Sequence, residues 1–413
     1  MPYLILDPTD EYAAHEKRFL DRLGLEAVVL LSSARARGAW ESRWRGELGA
    51  HVVAEYDVPH DELDAFAAEL RAAFPDGFFG IVPWDERHVL LAAELSDALD
   101  LGWNSRAVIE RFRDKSVLKA WLRAHGTARV NRARVVSDAA DALAFQEEVG
   151  AWPIVVKPSG GAGSMSVFFA RDAGTLLDGC QRVLESGLGE VLLEEYVGGT
   201  EYAVNGIVAH DGGVLVTDIW RYDKRDRGER RNLYYETLKL GSREEPFEAL
   251  GDYAAAILDT LGLRRSPFHM EVKVDDAGPC VIECGARFAG GNQTYLASRL
   301  HHHSLFELAV CHYLDDLDVG PADVDYAYYD AHGARILSGI QDVEIESISA
   351  VHGVDEVRAL PSFAGLGMLR RVGMRAPLSR DVNTKAWEVY LFHADPEQVA
   401  EDARAARRLL RYE

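Results

Sequence analysis

The chain has 413 residues, 48% hydrophobic and 27% charged, so it can bury a core and is neither disordered, low-complexity nor collagen-like. Lys plus Arg is 45 and Asp plus Glu is 67, a formal charge of −22 that repels phosphate backbones and anionic membrane surfaces. Nucleic-acid and membrane partners are therefore not expected, and an anionic ligand needs local cations or metal ions.

At ~150 residues per domain, this length suggests two to three domains. The cysteines Cys180, Cys280, Cys284 and Cys311 form no Cys-x-x-Cys pair. Met1–Asp7 lacks a basic leader before a long apolar run, and no apolar stretch is long enough to span a bilayer. The expectation is a reduced, cytoplasmic α/β protein.

The first ~110 residues alternate strand and helix patterns, as parallel sheets with crossovers do. Strands are predicted at Tyr3–Leu6, Ala27–Leu31, His51–Ala54 and Phe78–Val82, and helices at Glu11–Leu23 and Asp61–Ala73. Asp85 and Glu86 follow the Phe78–Val82 strand, where open α/β sheets gather ligands, though acids also suit a helix start. One long helix is predicted over Ala107–Ala124, stopping at His125-Gly126, and another over Ser137–Val149. Strands follow at Pro153–Lys157, Ser166–Ala170, Val191–Tyr196, Tyr202–His210 and Leu215–Trp220. The charged stretch Arg221–Asn232 has no apolar period and reads as a mobile loop. Helices are expected at Ala249–Leu261 and Thr294–Leu314. The chain ends in short strands and a final helix with Asp395 as its cap and Pro396 at its first position.

Three segments can carry chemistry. The loop Ser159-Gly160-Gly161-Ala162-Gly163-Ser164 follows Lys157 at a strand end, and its small residues let backbone amides approach phosphate oxygens. It is not a P-loop, since no Lys-Ser/Thr follows the last glycine. The arms Phe268–Val274 and Pro279–Arg287 read as a hairpin through a three-residue loop, Asp276–Gly278. In that register 275 faces 279, so Glu271 faces Glu283 beside His269, Lys273 and Gly285, while Met270, Val272, Ile282 and Cys284 form the core face. Opposed carboxylates repel, and a hard divalent cation removes that cost; the alternative is an exposed sheet face that tolerates two solvated carboxylates. In the third segment, Leu192–Tyr202, a strand runs into an exposed turn, which can offer backbone groups to an adenine edge, though taken alone it reads equally as an ordinary strand–turn–strand.

These pieces, in this order, resemble the ATP-grasp superfamily of carboxylate–amine ligases over nearly the whole chain, most closely its L-amino acid ligase (dipeptide-forming) branch. The resemblance implies an α/β ATP-grasp fold. It would have an N-terminal Rossmann-like domain (1–110), a small α+β lid domain (111–200) and a catalytic α+β domain (201–413). The catalytic domain would hold an antiparallel sheet and a C-terminal subdomain from about 335. Arg113-Asp114-Lys115 looks like the family's entry to its first phosphate lysine, and Lys157 like the second, with Ser159, Gly161, Gly163 and Ser164 in the phosphate loop. Glu194-Glu195-Tyr196-Val197 is similar to the adenine hinge, Glu201 to the ribose-binding glutamate, and Glu271 and Glu283 to the paired metal ligands. Arg287 is similar to the arginine that steadies the transferred phosphate, and His269 and the Ala289-Gly290-Gly291-Asn292 run suit the amino-acid ligase branch. Arg287, Lys157 and His269 are thus the catalytic candidates. The family usually has Glu-x-Asn where this chain has Glu283-Cys284-Gly285.

The implied cofactors are ATP and Mg²⁺, with Mn²⁺ as the alternative, as a pair of ions. The implied partners are small-molecule amino acids, with a homodimer allowed. The implied reaction turns an amino-acid carboxylate (α, or γ of glutamate) into an acylphosphate that a second amino acid's amine attacks, releasing ADP and phosphate. Two alternatives stand beside it: a biotin-carboxylase-like enzyme, disfavoured by the lack of a biotin-carrier motif, and a non-catalytic ATP-binding regulator.

Overall fold

The structure is a computed structural model that describes residues 1–8, 13–81, 83, 86–126, 128–160, 166–228, 230–290, 293–313 and 324–413. Its strands form three main sheets. The first is parallel and takes Tyr3–Leu6, Ala27–Leu31 and Val52–Asp57 in that order. Ala27–Leu31 is its central strand and is buried throughout, which is why it reads as an unbroken apolar run. The third strand starts one residue later than expected and runs three further. Phe78–Val82 gives only a single parallel bridge, Leu4 to Ile81, with Val82 outside the described residues.

Sequence reasoning missed two helical regions here. Ala34–Leu48 is helical with a π turn at Trp40–Trp44, and it buries both tryptophans. Val89–Leu99 packs on the parallel sheet, and its apolar residues circle the helix too fully to show an amphipathic stripe.

The long helix expected over Ala107–Ala124 is two helices, Arg106–Arg113 and Lys115–His125. Asp114 breaks it: its backbone is extended and its carboxylate accepts from the Ser116 and Val117 amides. A side chain that can cap the next turn outcompetes helix continuation. The break makes Lys115 the first residue of a new helix.

The second sheet is antiparallel, in the order Ala133–Val136, Val191–Glu195, Ile154–Pro158, Phe168–Ala170. Helices Ala139–Val149 and Ala173–Ser186 cover one face of it around Phe145, Leu176 and Val183. The third sheet has eight antiparallel strands, running from Gly278–Gly285 and Ser266–Asp275 through Thr200–Val208, Val214–Arg227 and Arg230–Lys239 to Gly333–Ser338, Trp387–His393 and Phe363–Leu369.

Arg221–Asn232 is not a loop. Val214–Arg227 and Arg230–Lys239 pair along it, with Lys224 opposite Tyr234 and Arg221 opposite Leu238. Lys, Arg and Asp occupy a strand here because Tyr222, Tyr234 and Tyr235 pack under the cations. Thr294–Leu314 is likewise divided, into Gln293–Ser298 and Leu305–Tyr313. The final helix, Pro396–Leu409, has Asp395 as its cap, accepting from the Glu397 amide at 2.9 Å. Among the described residues no helix is long and apolar enough to cross a membrane.

Candidate active site

A cavity of about 810 Å³ opens between the four-stranded and eight-stranded sheets. Its floor carries the opposed glutamates. Glu271 pairs with Glu283 and His269 with Gly285, as the sequence suggested, but by a different route. The turn holds two residues, since Asp275 pairs with Gly278, where φ is +95°. A bulge between the 271/283 and 272/281 pairs then restores the register. Ile282 is the extra residue and lines the cavity, while Val281 takes the expected place in the core.

Lys115 begins its helix over this floor, with Nζ 3.2 Å from Glu283 Oε2. Burial would lower its pKa; the facing Glu283 carboxylate outweighs that and raises it. On Glu271 burial works upward, but the neighbouring His269 and the charges of Lys224 and Lys115 bring it down to about 2. His269 is buried behind Glu271, with Nε2 3.8 Å from Glu271 Oε1 and Nδ1 2.7 Å from Asn205 Oδ1.

The opposite wall is the lid-side sheet. Lys157 and Glu194 are diagonal neighbours on adjacent strands, and their side chains form a buried ion pair at 2.9 Å. Asn131 donates to Glu194 Oε2 at 3.1 Å and to the Glu195 carbonyl at 2.9 Å. Behind it, Lys119 is fully buried and donates to Asn131 Oδ1 at 2.5 Å and to the Val281 carbonyl at 2.6 Å. Glu194, expected as part of an adenine hinge, thus points inward and anchors Lys157. Glu195, Tyr196 and Val197 run along the cavity edge, where Lys273 donates to the Val197 carbonyl at 3.1 Å and lies over the Tyr196 ring.

Glu201 is almost wholly buried, bonded to Lys224 through Oε1 and 4.0 Å from Lys273 Nζ through Oε2. Lys224 itself sits between the rings of Tyr222 and Tyr234. Gly160 lines the cavity, whereas Ser159 is buried against Gly189; Gly161, Gly163 and Ser164, like Asp85, Gly291 and Asn292, lie outside the described residues.

Arg287 is not on this wall. It lines a small adjoining cavity that shares Lys115 and Glu283 with the first. There its Nε donates to Glu86 Oε2 at 2.6 Å, and Arg113 lies 3.7 Å from Glu86 Oε1. The run His301–His303 splits three ways: His301 stacks on Tyr329, His302 meets Asp325, and His303 meets Arg22.

Sequence reasoning missed Lys119 and Asn131, which carry no motif and matter only through what they hold. It placed Lys224 in a loop. Alternating charge between tyrosines was the available signal of a strand. Among the described residues no group of three or more His, Cys, Asp and Glu side chains forms a metal cage. The opposed Glu271 and Glu283 offer paired hard oxygens, which suit a divalent cation completed by non-protein oxygens.

Within this geometry of two sheets clasping a lysine- and glutamate-lined cavity, residues 151–295 match the ATP-grasp domain. Dapdiamide A synthase of Enterobacter agglomerans is 30% identical over 260 residues, a match covering 60% of this chain and 59% of that relative. In three dimensions the chain resembles an L-amino acid ligase from Bacillus licheniformis, with a TM-score of 0.76 at 19% identity over 100% of this chain and 98% of the other. The biotin carboxylase domain of a Hydrogenobacter thermophilus 2-oxoglutarate carboxylase, solved with MgADP and bicarbonate, gives a TM-score of 0.66 at 16% identity, covering 100% and 90%.

Proposed function

We propose that the chain is an ATP-dependent carboxylate–amine ligase that joins the carboxylate of one amino acid to the amine of another. The carrying observation is convergence: Lys115, Lys157, Lys224, Glu201, Glu271 and Glu283, drawn from separate strands and helices, line one cavity. In this reading residues 1–110, 111–200 and 201–413 are the amino-terminal, lid and catalytic domains. The Glu195–Val197 edge takes the adenine, Glu201 the ribose hydroxyls, and Lys115 and Lys157 the phosphates. Glu271 and Glu283 hold Mg²⁺, which when bound neutralises the triphosphate and polarises the transferred phosphoryl group.

A carboxylate is a poor electrophile. Phosphorylation makes it an acylphosphate, the amine attacks its carbonyl carbon, and inorganic phosphate leaves. Negative charge concentrates in both steps, so the protein's part is positioning and cationic stabilisation. Arg287, beside Glu283 in the adjoining cavity, faces the carboxylate end of this path. His269 supports Glu271 from behind rather than touching the substrates.

The test is phosphate release with amino acids supplied singly and in pairs, followed by mass spectrometry of the products. Release that needs a pair and yields an amide supports the ligase. Release driven by bicarbonate, or no release with any acid, refutes it.

A further inference from the structure

Gly285 is not in the left-handed region, so its backbone does not call for glycine. Space does. A Cβ at 285 would lie 3.2 Å from Glu86 Oε2, with Arg287 Cγ and Cζ at 3.5 and 3.6 Å. A Cβ alone would press on the Glu86 carboxylate, and a longer side chain would compete with it for the same space.

Glu86 lies 201 residues from Arg287 in sequence, yet its Oε2 accepts from Arg287 Nε at 2.6 Å. Its Oε1 lies 3.7 Å from Arg113 Nη1. Both oxygens thus face guanidinium groups. Arg287 has a second anchor, Nη1 donating to its neighbour's carbonyl, that of Phe288, at 2.7 Å. The side chains of the pair are only 18% and 11% exposed, so their contact is poorly screened. A charge-assisted bond in such surroundings fixes direction as well as energy.

We propose that Glu86 is a positioning residue that holds Arg287 in the small cavity beside Lys115 and Glu283, and that Gly285 is the gap its carboxylate occupies. The amino-terminal region thereby contributes to a site otherwise built from the lid and catalytic sheets. The kinetic consequence rests on the ligase reading; the spatial claim does not. With Arg287 released, ATP still binds in the larger cavity, but the cation beside the transferred group is misplaced. The loss therefore falls on turnover and not on nucleotide affinity.

Two measurements test this. The first is a thermal unfolding cycle without substrates. Gly285→Asn should lower the midpoint in the wild-type background, and lower it by less than about half as much beside Glu86→Ala, because the obstructing carboxylate is gone. Additive losses overturn the spatial claim. The second is steady-state kinetics of Glu86→Gln, which keeps the shape and removes the charge. Its kcat should fall about tenfold or more while KM for ATP stays within about twofold, and Glu86→Asp should recover part of the loss. An unchanged kcat in Glu86→Gln, or a loss confined to KM for ATP, overturns the positioning role. A wild-type protein without amide-forming turnover would refute the ligase reading, and the thermal cycle would still decide the Glu86–Gly285 claim.

Discussion

Glu194→Gln removes the charge at the centre of the buried network beneath the cavity. In the wild-type protein burial alone would raise the Glu194 carboxyl. The charges of Lys119 and Lys157, with the hydrogen bond from Asn131, outweigh burial and hold it at about 2 against an ordinary 4.5. A depressed folded value means the stabilisation is complete above the unfolded value and is lost as pH falls from 4.5 toward 2. At ~1.4 kcal/mol per tenfold change in proton affinity, it is worth about 3 kcal/mol at neutral pH. The variant also leaves Lys119 and Lys157 buried beside a neutral amide, and breaking a buried pair costs about 3–5 kcal/mol.

The assay is urea unfolding of both proteins, without nucleotide, at neutral pH and in steps downward. The variant should be less stable by about 3 kcal/mol at pH 7. The gap should narrow by about 1 kcal/mol at pH 4 and by about 2 kcal/mol at pH 3, since only the wild-type chain loses this stabilisation. Glu271 titrates in both proteins and cancels in the difference. A gap that stays constant with pH would refute the reasoning, because Glu194 would then contribute shape and not charge.

Glu283→Gln should keep the fold and nearly abolish Mg²⁺-dependent turnover; near-normal rates at saturating Mg²⁺ would remove it from the metal site. Lys157→Ala should weaken ATP about 10–100-fold, the worth of a lost charge-assisted contact of ~1.5–3 kcal/mol, while amino-acid affinity changes less; calorimetry with an ATP analogue decides, and an unchanged dissociation constant counts against the role. Because Tyr222–Arg225 lies in a paired strand, its amides should exchange slowly even in the ligand-free protein; fast exchange there would contradict the hairpin.

What the sequence made legible follows from the range of the signals involved. Period and composition are local, and they found the buried Ala27–Leu31 strand and the Asp395 cap. The Glu271–Glu283 pairing was also readable, because two adjacent strands share one turn. Even there the expected turn was a residue too long, and the Ile282 bulge brought the carboxylates back into opposition. The break at Asp114 was missed because the apolar period continues across it and only the cap competes. Lys119 and Asn131 were beyond reach for another reason, and so was the partner of Glu86, which stood out only as an acid after a strand. Lys119 acts through the Val281 carbonyl and Glu86 through Arg287, contacts separated by 162 and 201 residues. No spacing rule connects such positions; only the fold brings them together.

In the proposed reaction the same ion pairs let a chain of charge −22 accommodate a polyanion. Before any ligand binds, Lys115 is held by Glu283, Lys157 by Glu194, and Lys224 by Glu201. The cations are thus desolvated and aimed in advance, so ordering them costs little when phosphates arrive. The pairs are not equivalent. Lys157 and Lys224 face carboxylates that keep other partners, the Asn131 amide for Glu194 and the more distant Lys273 ammonium for Glu201. Lys115 faces Glu283, which itself stands opposite Glu271. A phosphate that drew Lys115 away without a metal ion would leave two carboxylates opposed and less compensated, while a metal ion alone would set its charge against Lys115. Nucleotide and divalent cation together relieve both repulsions at once, so in the proposed reaction this floor favours the metal–nucleotide complex over either component alone.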